Sequence, residues 1–186
     1  GDNEINLTHN GNTESILTNT QGADLSWEAQ FYGAYAYIAV DGKFLTPQQK
    51  TINGETVSYV TVPVKTGATV SAKAIADDAS AQDVADAVTV IDDPQKGAEA
   101  LSLPAVPEGF SVEIKSSSNE KVISLDGTII PPAGDTEITL VLTVSKGGDA
   151  ADTGPIAVTV PGIGIWKVLL RDTINNALEA QKTLSP

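Results

Sequence analysis

The apolar residues of this chain fall in short runs that alternate with polar residues, and Gly, Pro, Asn and Asp separate the runs. A two-residue period sends alternate side chains to opposite faces of a strand, so the pattern predicts a succession of short β-strands. Over residues 1–92 the expected strands are 4–7, 14–18, 25–31, 34–40, 56–62, 69–76 and 85–91. Turns are expected at 9–12, 19–22, Asp41-Gly42, Asn53-Gly54 and Thr66-Gly67, and 77–83 reads as a polar, alanine-rich break. Short strands at this spacing predict a sandwich.

The same period assigns faces. In 25–31, Leu25, Trp27, Ala29 and Phe31 share one face and Ser26, Glu28 and Gln30 the other, which points Trp27 inward. In 34–40, Ala36, Ile38 and Val40 make an aliphatic face, with Tyr35, Tyr37 and Ala39 opposite. In 56–62, Val60 and Val62 share a face with Ser58, and Tyr59 stands on the other with Val57 and Thr61. Tyr35, Tyr37 and Tyr59 are therefore expected on one outer surface, with Tyr32 at its edge.

The stretch Asp92-Asp93-Pro94-Gln95-Lys96-Gly97 predicts a domain boundary, because Pro and Gly punctuate a charged run. Beyond it, strands are expected at 100–103, 111–115, 121–124, 128–130, 136–145 and 155–160, with turns at 131–135 and 146–149. Within this part, 112–129 reads as strand, turn, strand, turn, strand, and Asp126-Gly127 closes its second hairpin. Leu101-Ser102-Leu103-Pro104, Val112-Glu113-Ile114-Lys115-Ser116-Ser117-Ser118-Asn119, Val122-Ile123-Ser124-Leu125-Asp126-Gly127, the 138–147 strand ending at Lys146-Gly147, and Ala157-Val158-Thr159-Val160 together resemble the atrophied bacterial Ig domain. The resemblance covers residues 96–160 and departs at Lys115, where that family commonly carries Trp. It implies a repeating, non-catalytic unit of large secreted or wall-attached bacterial proteins, often beside carbohydrate-active modules. No site residue carries over from it.

After Pro161-Gly162 the period changes. Trp166, Leu170, Ile174, Ala177 and Leu178 recur at three- and four-residue spacing and predict an amphipathic helix over 165–183. Residues 167–178 resemble the start of the helical FIVAR module, which often follows Ig-like units. The other reading of the helix packs Trp166 and Leu170 on the preceding sandwich, since an isolated helix of this length is marginal in water.

The predicted organisation is thus all-β: two Ig-like β-sandwich domains in tandem, 1–92 and 93–161, followed by a C-terminal α-helix in 162–186. Its composition sharpens the functional classes. The net charge is −13, divided as −8 over 1–92 (12 acids, 4 bases), −6 over 93–161 (10 acids, 4 bases) and +1 over 162–186 (2 acids, 3 bases). Phosphate recognition needs clustered Lys and Arg, so nucleic acid is excluded as a partner, as is an anionic membrane. No apolar run is long enough to span a bilayer, and membrane insertion is not expected. With no cysteine there is neither a disulfide framework nor thiolate chemistry, a composition common among extracellular proteins of Gram-positive bacteria. The chain opens on Gly1 rather than Met, which leads us to expect a segment of a longer protein, with neighbouring domains of that protein as partners.

Chemistry is sparse. His9 is the one histidine and there is no cysteine, which removes His-based zinc sites and Cys–His pairs and leaves a Ser-His-Asp triad only an improbable base. The acids stand in turns or alternate outward on strands, as Glu113, Asp126, Asp135 and Glu137 do, and read as solvated surface rather than a glycosidase pair. No catalytic residue is predicted and no cofactor is expected. Structural calcium is the one metal with candidates, at Asp77-Asp78, Asp92-Asp93 and 149–152. A tyrosine ring offers an apolar face to the C–H side of a sugar while its hydroxyl bonds to ligand or water, so Tyr35, Tyr37, Tyr59, Tyr32 and Trp27 are candidate carbohydrate contacts. Against this stands ordinary packing of aromatics on cross-strand neighbours. Two functions follow: a polysaccharide-binding, extracellular or wall-attached module accessory to polysaccharide degradation, or an Ig-like spacer or adhesin repeat with no ligand of its own.

Overall fold

The computed structural model describes residues 4–5, 8–9 and 13–184. The chain is mostly β-sheet, with three sheets, a short helix and a long C-terminal helix. It divides into two compact units. Unit 1 comprises Gly1–Val90, Pro104–Val112 and Val144–Thr153; unit 2 comprises Ile91–Leu103, Glu113–Thr143 and Gly154–Pro186.

Unit 1 is built on two sheets. In one, β4 (Leu25–Tyr32) pairs antiparallel with β8 (Glu55–Val64), and β8 pairs with the edge strand β7 (Gln48–Ile52). The short strands β1 (Glu4–Ile5) and β2 (Thr8–His9) run parallel to β4 on its other side. The second sheet has the order β3-β9-β5-β6, from β3 (Glu14–Thr18), β9 (Thr69–Ile75), β5 (Tyr37–Val40) and β6 (Lys43–Leu45). The inward faces meet in one core: Trp27, Ala29 and Phe31 of β4 and Val60, Val62 and Val64 of β8 pack with Leu17, Ile38, Val40, Val70, Ala72 and Ala74 of the other sheet. Trp27 and Phe31 are fully buried, as the alternation over 25–31 requires.

The second sheet is apolar on its other face too. There Ala39 and Ile75, with Tyr37 and Phe44 alongside, pack with Ala79 and with Val84, Ala85 and Ala87 of helix α1 (Ala81–Ala87). Val106, Phe110, Val112, Val144 and Ala151 complete that layer. This layer covers most of the face carrying Tyr37, expected on an outer surface, and leaves Tyr37 half-buried.

No strand forms at the predicted 85–91: 88–91 are irregular, and helix α1 takes 85–87. Ser80 caps it, its hydroxyl accepting from Asp83 N while the Asp83 carboxylate accepts from Ser80 N, a reciprocal capping box. Asp149, at the start of β12 (Asp149–Asp152), adds a second acceptor for the helix terminus, taking a bond from Ala81 N at 2.9 Å. The Asp41-Gly42 and Asn53-Gly54 turns stand as predicted, each with positive φ at both residues, the geometry of a two-residue hairpin. His9 lies in β2 rather than a turn, paired with Phe31, while 6–7 and 10–12 of the predicted strand and turn fall outside the described residues.

In the third sheet β10 (Ser111–Ser117), β12 and β13 (Ile156–Val160) all pair with β11 (Thr136–Lys146), and unit 2 holds β13, Glu113–Ser117 of β10 and Thr136–Thr143 of β11. Ile114, Ile138, Leu140, Leu142, Ile156, Val158 and Val160 are buried, with Val122, Ile123 and Ile129 among them. The strands predicted at 100–103, 121–124 and 128–130 reduce to single bridges, Ala100 with Thr128 and Ile123 with Ile129. Helix α2 (Ile165–Leu184) follows as predicted, but Trp166 is 81% exposed and Leu170 63%, so these side chains do not pack on a sandwich.

Candidate functional site

The structure separates the tyrosines that the sequence places together. Tyr35 lies before β5 and closes the end of the core, its ring edge-on to Phe31 with centroids 6.5 Å apart. Its backbone N–H donates to Ser58 Oγ, and that hydroxyl donates to Gly33 O, so a buried serine fixes the segment. Trp27 is inside, with no exposed surface to offer a ligand.

Tyr32 and Tyr59 belong to the other sheet. On its outer face Gln30 of β4 is paired across β8 Tyr59 to β7 Gln48, and Tyr32 across Val57 to Lys50. The Lys50 ammonium lies 4.6 Å from the Tyr59 ring centroid and reaches Glu28, which also accepts from the buried amide of Gln30. Tyr59 Oη donates to Gln48 Oε1 at 2.6 Å. One face of the Tyr59 ring is thereby covered by a cation and its hydroxyl is engaged, which is the packing role of an aromatic on a sheet. A shallow cleft of about 300 Å³ opens at this edge, lined by Leu45, Thr46, Gln48, Tyr59, Val60 and Thr61.

Tyr37 lines a different cleft, of about 290 Å³, which the sequence did not foretell. Its walls are Ala36 and Tyr37 from the start of β5, Ile75, Ala76 and Asp77 from the end of β9, Pro107, Glu108 and Phe110 from the preceding connection to β10, and Lys146 from the end of β11. Phe110 N donates to Pro107 O, closing a turn that brings Glu108 and Phe110 to the rim, and Glu108 N donates to Tyr37 Oη at 3.3 Å. Lys146 Nζ stands 4.6 Å from the Phe110 centroid and donates to Ala79 O at 3.3 Å. Two aromatic residues and a buried proline thus line a cleft together with two exposed acidic residues, Asp77 and Glu108. Clefts for small ligands begin near 300 Å³ and are largely apolar with a few placed polar groups, which matches this one at the small end.

The acids proposed for calcium are distributed. Asp149 caps α1, Asp93 accepts from Thr159 N at 2.7 Å, and among the described residues no group of three or more His, Cys, Asp or Glu gathers to hold a metal. No helix of the described residues is long and apolar enough to cross a membrane. No known family model matches the chain, and no curated protein matches it. The resemblance of 96–160 to the atrophied bacterial Ig domain therefore rests on the residues quoted for it.

Proposed function

We propose that the chain is a non-catalytic segment of a secreted or cell-surface bacterial protein, accessory to polysaccharide degradation, with unit 1 binding carbohydrate. The cleft between Tyr37 and Phe110 is the observation that carries this reading. The Tyr37 ring as a wall for a sugar's C–H face, its hydroxyl, which accepts from Glu108 N and keeps a proton to donate, and the exposed acids Asp77 and Glu108 are groups that such recognition uses, with Phe110 packed under Lys146 beside them. Of the five residues expected at the site, Tyr37 is the one we retain at this cleft, and Phe110 joins it.

The non-catalytic part is supported by what the carboxylates do instead. Asp24 pairs with Lys65, Asp41 accepts from Ser71 N, Asp83 caps a helix and Asp126 ties its own turn through Ser124 and Thr128. The extracellular setting is supported by the absence of cysteine and by the Ig-like resemblance of 96–160, which we propose as one of two tandem domains. Affinity electrophoresis of the whole chain through gels containing plant, host or microbial polysaccharides tests the binding. At least one gel retards the chain, and Tyr37→Ala and Phe110→Ala each abolish the retardation while far-UV circular dichroism is unchanged. If no polysaccharide retards it, the ligand-free spacer is the correct reading; if both variants bind as before, the cleft is the wrong site.

A further inference from the structure

We infer that helix α2 pairs two copies of this chain, antiparallel about a two-fold axis beside Asp172, with Trp166 of each copy packed near Leu178 of the other.

Along α2 two adjacent rows of side chains at four-residue spacing, 165-169-173-177 and 166-170-174-178, carry no charge. Trp166, Leu170, Ile174 and Leu178 of the second row are each more than half exposed. The side of the helix away from these rows is the side that is held. Val168 and Arg171 are partly buried there, and Arg171 Nη1 donates to Pro131 O at 3.0 Å. Two backbone bonds root the helix on the same turn, from Ile163 N to Pro132 O and from Gly164 N to Ala133 O. A rooted helix thus displays its apolar face outward, and its ridges at four-residue spacing are of the kind that interlock with those of another helix.

Charge selects a second copy as the occupant. Residues 162–186 carry +1 on a chain of −13, so α2 is the segment where two copies meet with least repulsion. Charge also sets the direction. In an antiparallel pair centred on 172, Leu170 faces Ile174 and Trp166 faces Leu178, each contact occurring twice, as a closed two-fold interface requires. Lys167 and Glu179 each follow an end of that row by one residue, so they fall on one flank with opposite charges facing. A parallel pair would set Lys167 on Lys167 and Glu179 on Glu179, like against like. A lipid surface fits less well. Interfacial helices line their polar face with Lys and Arg, whereas here Lys167 and Arg171 are matched by Asp172 and Glu179, and Arg171 is engaged by Asp172 and Pro131.

Sedimentation equilibrium of the whole chain over a concentration series tests the pairing. The weight-average mass rises from 19.2 kDa and levels at twice that value, and Trp166 emission shifts to the blue over the same range. Leu170→Glu weakens self-association at least about tenfold, because the two-fold axis brings the new charge into the contact from both copies. Asn176→Glu adds the same charge at an exposed position away from the rows and leaves association unchanged, and far-UV circular dichroism is the same for both variants. Lys167→Glu and Glu179→Lys each weaken association about three- to tenfold, and the double variant restores it. Glu179→Lys is the sharper of the two, since it makes the chain less negative and net charge alone would tighten association. The inference is overturned if the mass stays at 19.2 kDa, if it climbs past the dimer without levelling, or if Leu170→Glu and Asn176→Glu act alike. It is overturned equally if the double charge variant is not restored, or if the chain stays monomeric and Trp166 shifts on phosphatidylcholine vesicles instead.

Discussion

Two turns of unit 1 provide a matched pair in which the same substitution meets different surroundings. Asp41-Gly42 and Asn53-Gly54 both have positive φ throughout, with Gly42 at +83° and Gly54 at +86°. Placing a side chain in this left-handed region costs about 1–2 kcal/mol at either glycine, offset by roughly 0.4–1 kcal/mol of lost unfolded-chain entropy. Around Gly54 a new Cβ meets nothing within 4 Å. At Gly42 it would stand 2.6 Å from Thr89 Oγ1, 2.9 Å from Val90 Cγ1 and 3.0 Å from Thr89 N. Those separations are well inside van der Waals contact, and overpacking of this kind costs about 1–3 kcal/mol more. Gly54→Ala is therefore expected to destabilise unit 1 by about 0.5–1.5 kcal/mol and Gly42→Ala by about 2–4 kcal/mol. Urea unfolding followed by Trp27 fluorescence reads this directly, in a Trp166→Phe background so that the buried indole is the sole reporter. Equal costs at the two glycines, to within about 0.5 kcal/mol, would refute the steric account of Gly42.

Two further outcomes follow from close approach and from charge. A Cβ at Gly162 would lie 2.5 Å from the Cα and carbonyl carbon of Gly134, where backbone cannot step aside, so Gly162→Ala lowers the stability of unit 2 by about 2–4 kcal/mol. Hydrogen exchange accelerates in peptides covering 131–135 and 156–164 if so, and unchanged protection there contradicts the packing. Asp83 is held below its ordinary 3.8 by the Ser80 hydroxyl and then the Ser80 N–H. Asp126 is likewise held below 3.8, by the Ser124 hydroxyl and then the Thr128 N–H. A depressed folded-state pKa gives stability that is complete above the unfolded value and is lost as pH falls through the folded one. NMR titration of both carboxyls should give midpoints below 3.8, and Asp83→Asn should flatten the acid limb of the stability curve below about pH 4.

The strands with one wet face were legible. Residues 25–31 alternate cleanly, and Leu25–Tyr32 is found where that alternation places it, with Trp27 inside; Glu14–Thr18 is a strand as expected, although it buries Ser15 with Leu17 and leaves Ile16 exposed. What escaped had a weaker or conflicting local signal. Gln48–Ile52 is an edge strand of mostly polar residues, and its partner β8 rather than its own pattern makes it a strand. Residues 85–91 carry the β-branched run Val88-Thr89-Val90-Ile91, yet Ser80 and Asp83 start a helix just before it, a box whose spacing was readable. The candidate site was legible only through Tyr37. Phe110 and Lys146 reach it from positions distant in sequence, and no periodicity reports which loops converge.

The sheet of β3, β9, β5 and β6 has consequences for how its strands find their register. A strand with one wet face is corrected by polarity, because slipping by one residue turns its apolar set toward water. Strand β5 has no such corrector: Ile38 and Val40 enter one core while Ala39 enters the other. A slip there would exchange one dry layer for another, and only volume would object, isoleucine and valine arriving where an alanine fits. The address of β5 is therefore written at its end, where Asp41 N donates to Ser71 O and its carboxylate accepts from Ser71 N.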